Sequence, residues 1–150
     1  MRVCVIDGRG GGLGKRLIQG LLVHLGESHE IIALGTNEAA TKAMKQAGAS
    51  QSGTGEQSIK QMVPTVDVIL ASLNLVLPGA MLGEVTPGIA HAILGAPGRK
   101  LLLPLNRAQV EVVGAEALTL ENLIGCTMRQ VQVLLKSSAL DGDRRVILQS

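Results

Sequence analysis

Apolar residues along this chain follow two rhythms. Short runs with almost no polar interruption occur at Val3 to Ile6, Glu30 to Leu34, Val66 to Ala71 and Lys100 to Leu103. Such runs predict strands buried on both faces, the signature of a parallel sheet. Between them apolar positions recur at helical spacing: Leu13, Leu17, Ile18, Leu21, Leu22 and Leu25, with Gly26 as the stop. Asn37 to Ala47 predicts a second helix, stopped by Gly48. Thr86-Pro87 pairs a cap with proline at the first helical position, so a helix runs from Pro87 to about Leu94. Thr119 caps a long last helix whose apolar face is Leu120, Leu123, Ile124, Met128, Val131, Leu134 and Leu135.

Strands alternating with helices predict one α/β domain, a Rossmann-like, doubly wound and mostly parallel sheet with helices on both faces. That domain is expected to span residues 1–136. The remaining 137–150 read as a tail, disordered or docked as an extra strand through Val146 to Leu148. Gln109 to Val113 reads as a further strand, and Gln51 to Gln57 as a loop. Leu73 to Leu82 is apolar but broken by Asn74, Pro78 and Gly79. It is expected either to pack under the sheet or to join a homo-oligomer contact.

Composition sharpens this in two ways. Charged residues are 17% where about 25% is usual, so a chain of 150 residues has apolar surface to share with another subunit. The chain also contains no Phe, Trp or Tyr. Single-strand nucleic-acid binders stack bases on such rings, and a net charge of +2 without a basic stripe adds nothing to attract a phosphate backbone. Nucleic acid is therefore not an expected partner. Neither is a membrane, since no run reaches the ~18 apolar residues of a span, and a cytoplasmic location follows as the default. Cys4 and Cys126 stand at no metal-ligand or redox spacing and read as buried free thiols; no metal site is expected.

Chemistry is concentrated in Asp7-Gly8-Arg9-Gly10-Gly11-Gly12-Leu13-Gly14-Lys15, between the first strand and the first helix. Glycines let a backbone turn sharply and bring amide N–H groups to an anion, and the helix start adds its positive end. Phosphate is the natural guest. The G-x-G-x-x-G pattern fails, because counting from Gly8 ends on Leu13 and counting from Gly10 ends on Lys15. The triphosphatase pattern fails too, lacking glycine at Arg9 and a hydroxyl at Arg16. Gly8, three residues, Gly12, Leu13, Gly14 instead resembles the glycine turn of short-chain dehydrogenases. The tyrosine that those enzymes use has no counterpart here.

In open α/β sheets ligands lie beyond the carboxyl ends of the strands. Those ends supply the candidate cofactor-binding set: Gly8, Arg9, Gly10, Gly11, Gly12, Leu13, Gly14, Lys15, Thr36, Asn37, Thr54, Ser72 and Asn106. A dinucleotide fold selecting a free ribose carries Asp or Glu at the end of the second strand. Leu34-Gly35-Thr36-Asn37 has none, so NADP is favoured over NAD, with Thr36 and Asn37 as donors or simply as caps of the next helix. Glu84, just before a helix, is a general acid or base if it points inward and a solvated residue otherwise. His24, His29 and His91 have no partner at useful spacing.

Four strings together, Val5-Ile6-Asp7-Gly8-Arg9-Gly10-Gly11-Gly12-Leu13-Gly14-Lys15, Ile31-Ile32-Ala33-Leu34-Gly35-Thr36-Asn37, Met81-Leu82-Gly83-Glu84-Val85-Thr86-Pro87 and Leu102-Leu103-Pro104-Leu105-Asn106-Arg107, resemble an uncharacterised family of small bacterial Rossmann-like proteins. The likeness runs from Met1 to about Lys136. It implies a bacterial cytoplasmic protein with a Rossmann-like domain and no particular reaction. The expected function is binding of a nucleotide-type small molecule, NADP or NAD, at the glycine loop. The alternative is an accessory or regulatory subunit acting through protein contacts.

Overall fold

The computed structural model describes residues 1–26, 28–105 and 110–149, with side chains described up to residue 142. Five parallel strands form one sheet: β1 (Arg2–Asp7), β2 (Glu30–Gly35), β3 (Gln51–Thr54), β4 (Val68–Ser72) and β5 (Arg99–Leu103). Their order is β3-β2-β1-β4-β5. The helices are α1 (Gly12–Leu25), α2 (Glu38–Gln46), α3 (Gly55–Met62), α4 (Pro87–Gly95) and α5 (Leu120–Gln149).

Alternation along the strands divides the interior into two layers. Val3, Val5, Ala33 and Leu70 point to one face, where Leu17, Ile18 and Leu21 of α1, Met44 of α2 and Met128 and Val131 of α5 cover them. Cys4, Ile6, Ile32, Leu34, Ile69 and Ala71 point to the other, under Ile59 of α3 and Ile89 and Ile93 of α4. Both faces are thus covered by helices, the doubly wound α/β arrangement expected from the apolar runs.

Three expected elements differ. Gln51 to Thr54 is a strand, because its backbone continues the ladder of β2 from Ile32↔Gln51 to Gly35↔Thr54; α3 then starts at Gly55. An edge strand held by backbone hydrogen bonds needs no apolar pattern, so its polar side chains hid it. Gln109 lies outside the described residues, and from Val110 to Val113 only an isolated bridge forms, at Val110. Local turn chemistry wins there: Gly114 takes a φ of 95°, its N–H donates to the Glu116 carboxylate, and Val113 is 91% exposed. The segment after Ser137 adds no strand, since α5 runs on to Gln149, 30 residues or about 45 Å in all.

Leu73 to Leu82 resolves mostly inward. A 3-10 turn spans Leu73–Val76, Asn74, Leu75 and Ala80 are buried, and Leu77 and Met81 are half-buried against the core. Leu82 alone among its large apolar side chains is fully presented, at 93% exposure.

Candidate functional site

Strand order reverses between β1 and β4: from β1 the chain moves outward to β2 and β3, then returns to place β4 on β1's other side. A crevice opens beyond the carboxyl ends of strands at such a point. Here it is a cleft of about 350 Å³ lined by Asp7 to Leu13, Arg16, Ser72, Asn74, Met81, Leu105 and Leu120.

The glycines of the loop divide by what a side chain would meet. A Cβ on Gly8 would lie 2.6 Å from Met81 Sδ and from Thr36 Oγ1. One on Gly14 would lie 2.8 Å from Met44 Cγ and 3.0 Å from Asp7 Cβ, so this glycine lets α1 approach β1 and α2. Gly11 has a φ of 75°, and a Cβ on it would lie 2.8 Å from the Ala40 carbonyl oxygen. A Cβ on Gly10 or Gly12 would meet nothing within 4 Å among the described residues, and both glycines line the cleft. The glycines therefore differ position by position: Gly8 lets Met81, Thr36 and Glu84 close in, Gly11 takes the left-handed turn, and Gly14 packs helix on strand.

Asp7 is buried, and its carboxylate accepts from the N–H of Gly8 and of Gly14, each at 2.8 Å. It caps α1 in place of a side chain at Gly11. Gly11 N–H donates to Gly8 O, and Lys15 N–H to Gly11 O. Among the described residues no acceptor takes the N–H groups of Gly10, Gly12 or Leu13. These amides, with the positive end of the 14-residue α1, face the cleft as donors.

Opposite them stands Ser72, at the end of β4 and 2% exposed. Its hydroxyl oxygen is the one buried side-chain polar atom without a hydrogen-bond partner among the described residues. An unmet buried hydroxyl costs about 1–3 kcal/mol, so it asks for an explanation. Arg16, one turn along α1, lines the same cleft and pairs with Glu121 of α5.

Other expected site residues fall elsewhere. Lys15 is exposed and does not line the cleft, Arg16 taking the place expected of it. Thr54 turns away, donating to Thr41 Oγ1 at 2.7 Å. Asn106 lies outside the described residues. Asn37 caps α2, its Oδ1 accepting from Ala40 N–H at 2.9 Å.

Thr36 and Asn37 do share one partner, Glu84, which points inward. Its Oε2 accepts from Arg9 N–H at 2.9 Å and from Thr36 Oγ1 at 3.3 Å, and its Oε1 from Asn37 Nδ2 at 2.6 Å. No local pattern could have revealed this contact, which spans 75 residues to Arg9 and 48 to Thr36.

A family model matches residues 2–136. The chain belongs to that family, described as Domain of unknown function (DUF3842). The match contains the whole sheet, the glycine loop, Ser72 and Glu84, and reaches into the last helix. No curated protein and no solved structure matches the chain. No helix among the described residues is long and apolar enough to cross a membrane.

Proposed function

We propose that this chain binds a nucleotide, NAD or NADP, with a phosphate held at the glycine loop. The phosphate oxygens would accept from the free amides of Gly10, Gly12 and Leu13 at the positive end of α1. The observation that carries the reading is the orphaned Ser72 hydroxyl, buried in the wall of the same cleft. A phosphate oxygen would give it the acceptor it lacks. The space in front of Gly12 supports close approach of such a group.

The lining favours binding over self-sufficient catalysis. Asp7 is engaged by two loop amides, Arg9 and Arg16 are cations suited to holding an anion, and Ser72 and Asn74 are neutral donors and acceptors. A second reading, an accessory subunit, draws on an open groove of about 710 Å³ between α3 and α4 walled by Val63, Pro64, Pro87, Ala92 and Pro97.

The missing aromatic residues make the test direct. Without Phe, Trp or Tyr, absorbance near about 260 nm in the purified protein reports a bound base, and reduced nicotinamide near about 340 nm is read without background. Titration with NAD and NADP should stabilise the fold by roughly 2.7 kcal/mol at 100 times the dissociation constant. No stabilisation by either would end the nucleotide reading.

A further inference from the structure

We propose that Glu84 is the ribose-selecting residue of this site and makes the chain prefer a dinucleotide with a free 2′-hydroxyl, NAD, over one with a 2′-phosphate, NADP. The proposal rests on the dinucleotide reading of the glycine loop.

The end of β2 carries no acid of its own, which by sequence favours a phosphorylated ribose. The fold brings an acid there from another part of the chain. Glu84 lies between the 3-10 turn after β4 and the start of α4, yet its carboxylate reaches Thr36 and Asn37 and the loop amide of Arg9. Asn37 fixes the orientation: Oδ1 is committed to capping α2, so Nδ2 faces Glu84 as a donor. The backbone before Glu84 is held in an uncommon shape, with Met81, Leu82 and Gly83 at φ of 55°, 56° and 88°. Two non-glycine residues in the left-handed region are an unfavourable arrangement, held in place here beside the three hydrogen bonds at Glu84.

Charge then decides what the position accepts. A carboxylate offers about four lone-pair sites, and three donors are present, so acceptor capacity remains for a ribose hydroxyl. A 2′-phosphate brings only acceptors and a like charge. Among the described residues Glu84 has no ion-pair partner to offset that repulsion. The two positions are chemically opposed: the cleft offers amides and the Ser72 hydroxyl for a phosphate, and beside it, over the end of β2 and against the Arg9 amide, Glu84 offers a carboxylate for a diol.

Calorimetric titration of the wild-type chain with NAD and NADP tests this without any variant. NAD is expected to bind at least about tenfold more tightly, the scale of a like-charge penalty at a partly solvated site. Glu84→Gln, which keeps the side chain's length and removes its charge, should narrow the ratio to within about threefold, with far-UV circular dichroism confirming the fold. Equal or tighter binding of NADP to the wild type, or a preference unchanged in Glu84→Gln, overturns the proposal. Tight NADP binding that is lost in Ser72→Ala would overturn the role of Glu84 and keep the phosphate site. Binding of neither dinucleotide would overturn both.

Discussion

Asp7 Oδ2 accepts a hydrogen bond from the N–H of Gly14 at 2.8 Å, so the last residue of β1 caps the helix that follows it. Both ends of the glycine loop are pinned by one side chain, because Oδ1 takes Gly8 N–H as well. Hydrogen bonds to a charged acceptor contribute about 1.5–3 kcal/mol each. Asp7→Ala should therefore destabilise the fold by roughly 3–6 kcal/mol, and Asp7→Asn by about half that. Urea unfolding followed by circular dichroism measures both, and an Asp7→Ala chain as stable as wild type would refute the capping role.

Gly12 and Gly14 should respond in opposite ways to alanine. At Gly14 the new methyl meets Met44 and Asp7, an overpacking expected to cost about 1–3 kcal/mol. At Gly12 it meets nothing, so stability should stay within about 0.5 kcal/mol of wild type or rise slightly. Nucleotide binding should weaken in Gly12→Ala, because the methyl stands where the phosphate approaches. Paired unfolding and titration curves for the two variants read this contrast.

Ser72→Ala should leave the ligand-free protein as stable as wild type or more stable by about 0.5–2 kcal/mol, since it removes a buried hydroxyl that has no partner among the described residues. Nucleotide affinity should fall about fivefold to tenfold, the scale of one lost hydrogen bond. Gain of stability with loss of binding is the pattern of a residue kept for its ligand. Loss of stability with unchanged binding would assign Ser72 to the fold alone.

The two thiols should separate cleanly in a labelling experiment. Cys4 is buried in β1, and burial pushes its thiol well above the ordinary cysteine range, with Arg2 opposing weakly. Cys126 is half-exposed on α5. A thiol reagent at about pH 8 should modify one cysteine in the native protein and the second only on unfolding. Rapid native labelling of both would contradict the placement of β1.

Acid should loosen the contact between α3 and α4. The Thr86 hydroxyl donates to Glu56 while accepting from Ile89 N–H, and Thr86 followed by Lys60 holds the Glu56 carboxyl below its ordinary 4.5. A depressed folded value means the contribution is present above the unfolded value and is lost as pH falls through the folded one. Melting temperature should drop below about pH 4.5 in the wild type, and less steeply in Glu56→Gln. Identical acid limbs would exclude Glu56 from the acid response.

How much of this could be read beforehand depended on the kind of signal each element carries. β1, β2 and β4 announce themselves because strands covered on both faces must be apolar throughout. Asn37 and Thr86 mark their helices because a cap is a contact within three residues. β3 escaped because its pairing with β2 uses backbone groups that every residue has. Val110 to Val113 misled because β-branched composition is weaker than the turn that Gly114 and Glu116 build beside it.

The sequence by itself determined the α/β class, the position of the glycine loop between β1 and α1, and the optical silence that makes a bound nucleotide visible. Each of these is a property of composition or of neighbours along the chain. Only the tertiary structure decided that, among the described residues, Gly12 and Gly10 face open space while Gly8 and Gly14 are filled around, that Ser72 has no partner there, and that the Glu84 carboxylate lies at the end of β2. Those outcomes depend on which strand ends meet where the order reverses at β1 and β4, and burial, orphaned hydroxyls and contacts across 75 residues come into being only when the sheet is assembled.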